Sequence, residues 1–112
     1  MIHEMKLRPE YFEYIKTGTK RIELRLFDEK RELIKLGDTI KFLKEPEKTE
    51  ELQVKVIGLL RYDNFKDLLN DFPIEVLADK SMSKEQLLHI LEEFYTLEEQ
   101  QKYGVLGIRI EK

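Results

Sequence analysis

Charged and apolar residues alternate along a short stretch in the first quarter of the chain. The alternating residues are Arg21, Ile22, Glu23, Leu24, Arg25 and Leu26. Alternation with a period of two is typical of a β-strand that buries one face. The pattern predicts a strand over residues 21–27, with its apolar face in the core. Its charged face is expected to be either solvated or part of a binding site.

A helix is predicted immediately before this strand. Pro9 is well placed to begin it, because the first turn of a helix does not need the N–H group that proline lacks. Phe12 and Ile15 follow at a helical spacing. Gly18 is expected just beyond the helix end, in a left-handed conformation. The helix therefore ends directly before Lys20.

The other strands of the first half are predicted from turn residues and apolar runs. They cover residues 4–8, 39–43 and 52–62. Gly58 lies inside the last of these and indicates a bulge or bend that curls a sheet. Residues 44–51 are predicted to form an exposed loop, whereas residues 28–35 are compatible with either a short helical turn or an ordered loop.

The second half of the chain changes to helical patterns with recognisable N-terminal caps. Asn64 is a good cap for a helix at residues 65–69, and Pro73 introduces a short helix at residues 74–78. Two capping boxes, in which Ser or Thr is followed three residues later by Gln or Glu, begin two more helices. These boxes are Ser83 with Gln86 and Thr96 with Glu99. A strand at residues 105–110 closes the chain.

The order of elements predicts the fold class. The predicted order is one strand, a helix, three strands, several short helices and a last strand. This order indicates an α+β protein of about five to six strands. If the last strand pairs with the earlier ones, it closes a small β-barrel or a strongly curled sheet, with a helical insert before it. The alternative is an open antiparallel sheet with helices on one side. We expect residues 1–112 to form a single domain.

Composition excludes several classes of protein. With 41% hydrophobic and 38% charged residues, the chain is expected to be globular with a very polar surface. It has no cysteine, which excludes a disulfide framework, a thiolate nucleophile and a cysteine zinc site. His3 and His89 have no partner at metal-ligand spacing, and we expect neither metal nor cofactor. No apolar run is long enough for a signal peptide or a membrane span, so a cytoplasmic location without membrane contact is expected.

Charge is distributed unevenly. Residues 1–66 carry 15 basic and 13 acidic residues, whereas residues 67–112 carry 5 and 10. Affinity for nucleic acid of any sequence grows with the number of phosphates neutralised, and this chain has no broad basic surface. The balance favours one local basic cleft for a small or specific anionic ligand.

The stretch Gly18-x-Lys20-x-x-Glu23-x-Arg25 concentrates the candidate chemistry. Lys20 is a candidate partner for phosphate or carbonyl groups, and the planar guanidinium of Arg25 suits phosphate or carboxylate. Glu23 is a candidate hydrogen-bond acceptor for a base or ribose, or a general base. The alternative is that the three form solvated ion pairs. Lys20 has the opposite strand parity, and it joins the other two only if the turn at Gly18 bends the chain.

This motif resembles the GxKxxExR signature of the ASCH domain family in the PUA-like superfamily. Its flanks are also similar to those of small single-domain bacterial and archaeal members. They are Ile15-Lys16-Thr17-Gly18, Lys30-Arg31, Leu36-Gly37-Asp38-Thr39-Ile40 and Tyr103-Gly104-Val105-Leu106-Gly107-Ile108. The resemblance covers nearly the whole chain. It implies a PUA-like β-barrel with helices packed alongside, and a cleft that is lined by the charged residues of the motif and binds RNA.

The resemblance also implies alternatives with enzymatic activity. One branch of the family is similar to small amidohydrolases of acetylated cytidine, which use a Lys, a Thr nucleophile three residues later and a Glu from a late helix. This chain keeps the Lys as Lys20 but has Glu23 at the nucleophile position, and the late Glu falls near Glu85 or Gln86. A hydrolase of a modified nucleoside, with Lys20 and Glu23 as its catalytic residues, is therefore the alternative, together with a ribonuclease.

Three other residues are candidates for contact with the ligand. Arg21 and Arg31 extend the basic charge around the motif, and Tyr103 is a candidate for stacking on a base. The expected partner is RNA or a nucleotide-like small molecule, and a monomer is favoured. A protein partner covering the acidic second half is a further alternative.

Overall fold

The computed structural model describes residues 1–112 and contains five strands and five α-helices. The strands are β1 (Ile2–Leu7), β2 (Ile22–Leu26), β3 (Thr39–Lys44), β4 (Glu51–Tyr62) and β5 (Val105–Glu111). The helices are α1 (Pro9–Lys16), α2 (Phe65–Asn70), α3 (Ile74–Leu77), α4 (Lys84–Phe94) and α5 (Leu97–Tyr103). The predicted order of elements is confirmed. In the undecided segment 28–35 there is one 3₁₀ turn, Arg31–Leu33.

The five strands form one curled sheet in the order β1-β3-β4-β5-β2. β1 pairs with β3 in parallel, and all other pairs are antiparallel. The sheet curls until its two edge strands face each other. The contact between them is a hydrogen bond from Arg25 of β2 to the backbone carbonyl of Lys6 on β1. No backbone ladder joins these edges, so the architecture is a half-barrel with helices alongside. We call the gap between β1 and β2 the seam.

A bulge in β4 contributes to the curl. The register between β4 and β5 shifts between Val56 and Gly58, as the position of the glycine predicted. A Cβ atom at Gly58 would lie 2.9 Å from Cδ of Arg109 on β5. The glycine therefore allows the close approach of the two strands at the point where the sheet bends.

Apolar side chains form two core clusters, one within the curl of the sheet and one beneath the helical insert. The first contains Met5, Leu7, Phe12, Ile15, Ile34, Ile40, Phe42, Val54, Val56, Leu106, Ile108 and Ile110. The second contains Ile22, Leu24, Leu26, Phe65, Leu68, Leu69, Leu77, Ala78, Leu87, Leu91 and Val105. The predicted apolar face of β2 thus packs against the helices α2, α3 and α4.

The predicted caps place the helices of the insert. Asn64 accepts a hydrogen bond from the N–H of Asp67 at 2.8 Å. Both capping boxes are present in full, at Ser83 and at Thr96. None of the helices combines the length and apolarity that crossing a membrane requires.

Asp38 connects the start of β1 to the turn before β3. Its Oδ2 atom lies 2.8 Å from Nε2 of His3 and accepts the N–H of Lys35 at 3.0 Å. The hydrogen bond with His3, followed by that from Lys35, lowers the pKa of Asp38 from 3.8 to about 2. Because the folded pKa lies below the unfolded one, the stabilisation is complete above the unfolded value and is lost as pH falls through the folded value.

We therefore predict that Asp38→Asn lowers the free energy of unfolding near neutral pH, and that the deficit shrinks as pH falls from 3.8 to about 2. Urea unfolding of both proteins across the acid range measures this difference. Asp63→Asn, which changes an exposed carboxylate, is the matched control. A deficit that stays constant across the acid range contradicts the assignment.

Candidate functional site

A cavity of about 310 Å³ lies at the seam. Its charged lining residues come from β1, β2, the turns before β2 and α1, and the loop between β3 and β4. They are Lys6, Arg8, Lys20, Glu23, Arg25 and Glu45. Its apolar and aromatic wall comes chiefly from α1, α4 and the residue after α4: Tyr11, Leu87, Ile90, Leu91, Phe94 and Tyr95. The cavity therefore combines a charged floor with an apolar side.

The turn at Gly18 brings Lys20 to this floor. Gly18 has φ +87°, the left-handed conformation predicted for it. The backbone N–H groups of Thr19 and Lys20 both donate to the carbonyl of Tyr14 at 3.0 Å. The chain bends sharply enough that Nζ of Lys20 lies 3.5 Å from Oε1 of Glu23, despite the opposite parity of the two residues.

Lys20 is buried, with 3% of its surface exposed. Its Nζ donates to the carbonyls of Ile22 and Leu77 at 2.6 Å each, in addition to the ion pair with Glu23. These contacts account for all three ammonium hydrogens. Burial lowers the pKa of Lys20, and the neighbouring Glu23 opposes this shift. Lys20 therefore connects β2 to α3 through its hydrogen bond to the carbonyl of Leu77, and it has no N–H left for a ligand.

Glu23 is also buried, with 4% of its surface exposed. Its Oε2 accepts Nε of Arg25 at 2.8 Å, and Nη2 of Arg25 lies at the same distance. Burial alone raises the pKa of Glu23, but Arg25 and Lys20 outweigh it and hold the pKa below its usual value. The alternative of a solvated charged face on β2 is therefore wrong for Glu23, because α1 and α4 contribute walls that cover this side of the strand.

Arg25 closes the seam with its side chain. Nη2 donates to the carbonyl of Lys6 at 3.0 Å, and the guanidinium also donates to the hydroxyl of Tyr95. Burial lowers the pKa of Arg25, but Glu23 and the facing phenol of Tyr95 outweigh it and raise the pKa above its usual value. Glu23, the carbonyl of Lys6 and the hydroxyl of Tyr95 take four of the five N–H groups of this half-buried arginine, so one N–H is left for a ligand.

The mouth of the cavity carries an exposed cation and an exposed aromatic ring. The guanidinium of Arg8 lies 4.6 Å from the ring centroid of Phe94, and 53% of the Phe94 surface is exposed. Lys6 is exposed beside them, and Tyr11 is half-buried. An exposed ring of this kind is typical of surfaces on which bases stack.

The structure separates the predicted site residues into two groups. Lys20, Glu23 and Arg25 converge on the cavity floor, and Arg31 lies close enough that burial and the Arg25 guanidinium lower its pKa. Arg21 is exposed and lines a separate small depression next to Gly18, and Tyr103 lines an open groove near the start of β5. Arg21 and Tyr103 therefore lie outside the cavity.

Several residues of the site are not recognisable from the sequence. Arg8, Tyr11, Phe94 and Tyr95 line the cavity although they belong to segments distant in sequence. In the sequence, Phe94 and Tyr95 fit the apolar spacing of a helix, which predicts core residues and gives no sign of a binding site. Arg8 is the one residue with a local signal, because it lies between the end of β1 and the start of α1. Side chains at such junctions often lie at the end of a sheet, where binding sites are found.

The geometry differs from what the hydrolase alternative requires. A carboxyl group is most efficient as a general acid or base when its pKa is raised towards the operating pH, whereas the pKa of Glu23 is lowered by Arg25 and Lys20. Glu85 is exposed, and Oε1 of Gln86 accepts the N–H of Ser83 in the capping box. The helix α4 contributes apolar side chains to the cavity, and neither Glu85 nor Gln86 lines it.

A curled half-barrel with a charged cleft between its edge strands defines the class of this protein, and comparison identifies its family. The model of the ASCH domain matches residues 5–112. No curated protein matches the chain. The chain belongs to the ASCH domain family.

Solved structures agree with this assignment. The hypothetical protein PH0355 is 44% identical, with 99% of this chain and 98% of that chain covered and a TM-score of 0.85. Protein PF0455 from Pyrococcus furiosus is 39% identical, with 99% and 96% covered and a TM-score of 0.78. A mutant of ZmASCH from Zymomonas mobilis is 15% identical, with 99% and 68% covered and a TM-score of 0.71, and shows the fold alone.

We predict that Glu23→Gln destabilises the protein by about 3–5 kcal/mol, because it leaves buried Lys20 and half-buried Arg25 without their shared carboxylate. Urea unfolding at neutral pH measures the change. Glu4→Gln, which alters an exposed carboxylate on β1, is the matched control and is expected to change stability by less than about 0.5 kcal/mol. Equal stability of the two variants contradicts a structural role for the ion network.

Proposed function

We propose that this protein binds single-stranded RNA by taking one nucleotide unit into the seam cavity. The observation that carries the proposal is Arg25, which lines the cavity among aromatic side chains with one N–H that no protein group takes. Proteins that recognise single-stranded RNA combine stacking on aromatic rings with hydrogen bonds to exposed base edges. The membership of the ASCH domain family, which is generally thought to bind RNA, supports the same reading.

The size of the cavity favours a single base over a duplex. Pockets for small ligands span about 300–1,000 Å³, and this cavity, at about 310 Å³, falls at the lower end. A double helix cannot enter a gap between two edge strands that Arg25 already bridges. The ligand is therefore a base from a single strand or a loop, with the rest of the RNA outside the mouth.

The cations at the mouth of the cavity are few, so we expect contact with only a few phosphates of the RNA. Lys6 and Arg8 are the exposed cations that line the cavity. If they neutralise two phosphates, the logarithm of the association constant is expected to fall with the logarithm of the salt concentration with a slope of about −1.4. We also propose that the protein is a cytoplasmic monomer.

We predict that Arg8→Ala weakens binding of a single-stranded RNA pentamer about tenfold, the loss expected for one charge-assisted contact to a phosphate. Amide chemical-shift titration at physiological salt measures the affinity and locates the site. Arg21→Ala is the matched control, because this exposed arginine lies outside the cavity, and it is expected to bind like the wild type.

Two results contradict the proposal. One is that RNA causes no shifts in wild-type protein at physiological salt. The other is that the shifts cluster around the groove beside Tyr103, and that Arg21→Ala weakens binding as much as Arg8→Ala does.

A further inference from the structure

We infer that the seam cavity selects a nucleobase with a carbonyl oxygen at its inner edge over one with an exocyclic amino group there. Uracil and hypoxanthine are then preferred to cytosine and adenine. The inference rests on the proposed function, and it names the ligand class by the hydrogen bonds that the cavity floor leaves unused.

The trio of Lys20, Glu23 and Arg25 offers a donor and no free carboxylate oxygen. Both oxygens of Glu23 face cations, Oε1 towards Lys20 and Oε2 towards Arg25. The hydrogens of Lys20 are used by two carbonyls and by Glu23. Of the five N–H groups of Arg25, two face Glu23, one donates to the carbonyl of Lys6 and one to the hydroxyl of Tyr95, so one N–H remains. A ligand atom that meets this N–H must therefore accept a hydrogen bond.

The net charge of Lys20, Glu23 and Arg25 also favours a carbonyl oxygen over an amino group. Buried Lys20 and Glu23 and half-buried Arg25 lie together, which leaves one net positive charge. The partial negative charge of a carbonyl oxygen is attracted to this charge. An amino group would place donor against donor and leave both without partners, the kind of mismatch that costs most in a buried site.

The walls favour a base over a phosphate group at the floor. Leu87, Ile90 and Leu91 of α4 line one side of the cavity, and Tyr11 lines it from α1. An ionised phosphate loses much of its hydration among apolar side chains, whereas a flat base packs against them. Glu45 also lines the cavity from the loop between β3 and β4, and its carboxylate repels an entering phosphate.

The test uses four RNA pentamers whose central base is uracil, cytosine, hypoxanthine or adenine and whose four flanking nucleotides are abasic, so that only the central base can enter the cavity. Each of the pairs uracil with cytosine and hypoxanthine with adenine exchanges a carbonyl for an amino group at the edge far from the ribose. We expect the carbonyl member of each pair to bind about tenfold more tightly, which is the lower range of discrimination by base-edge hydrogen bonds. Chemical-shift titration reports both the affinity and the contact with Arg25.

Arg25→Lys tests the origin of the preference. The variant keeps a cation beside Glu23 but lacks the guanidinium fork, so the affinity ratio within each pair is expected to fall below about twofold. Arg8→Lys, at the mouth, is the matched control and is expected to keep the tenfold ratio. If Arg25→Lys does not fold, the wild-type ratios alone decide the inference.

The outcomes separate this inference from the proposed function. Binding of all four pentamers at the seam with equal affinity, or tighter binding of the amino members, overturns the inference and leaves RNA binding in place. Displacement of the uracil pentamer from the floor by inorganic phosphate at matched ionic strength also overturns it. Failure of all four pentamers to bind overturns both.

Discussion

The half-barrel depends on a buried ion network at the one place where its sheet does not close. An open edge normally leaves N–H and carbonyl groups without partners. Here the Arg25 side chain crosses the gap to the carbonyl of Lys6, and Lys20 joins β2 to the carbonyl of Leu77 on α3. Glu23 lies between the two cations and holds both in place. Side chains therefore replace the missing ladder of backbone hydrogen bonds.

The same network explains why the candidate site lies at the seam. Burying charges is costly unless they are paired and hydrogen-bonded, and each contact within the trio meets part of that cost. Two cations and one carboxylate nevertheless leave a net charge, and one N–H of Arg25 has no protein partner. The cavity next to this unused group has an apolar wall, where a hydrogen bond to a ligand is stronger than in water. Structural and binding roles are thus combined in Arg25.

Much of the fold was predictable because it depends on local chemistry. Gly18 ends α1 in the left-handed conformation that its position indicated, and Gly58 marks the bulge of β4. The capping boxes at Ser83 and Thr96 begin α4 and α5 because a side chain there satisfies N–H groups within its own first turn. Segment 28–35 was undecided, since its polar residues satisfy neither a helical nor a strand period.

The sequence by itself determined the elements, the ASCH domain resemblance and the three charged residues of the motif, because each is written in spacings of a few residues. Only the tertiary structure decided that Glu23 is buried, since this depends on covering side chains from α1 and α4. It also placed Arg8 against Phe94 and removed Arg21 and Tyr103 from the cavity. The curl of the sheet brings distant segments to one seam, and no local pattern records which side chains meet there.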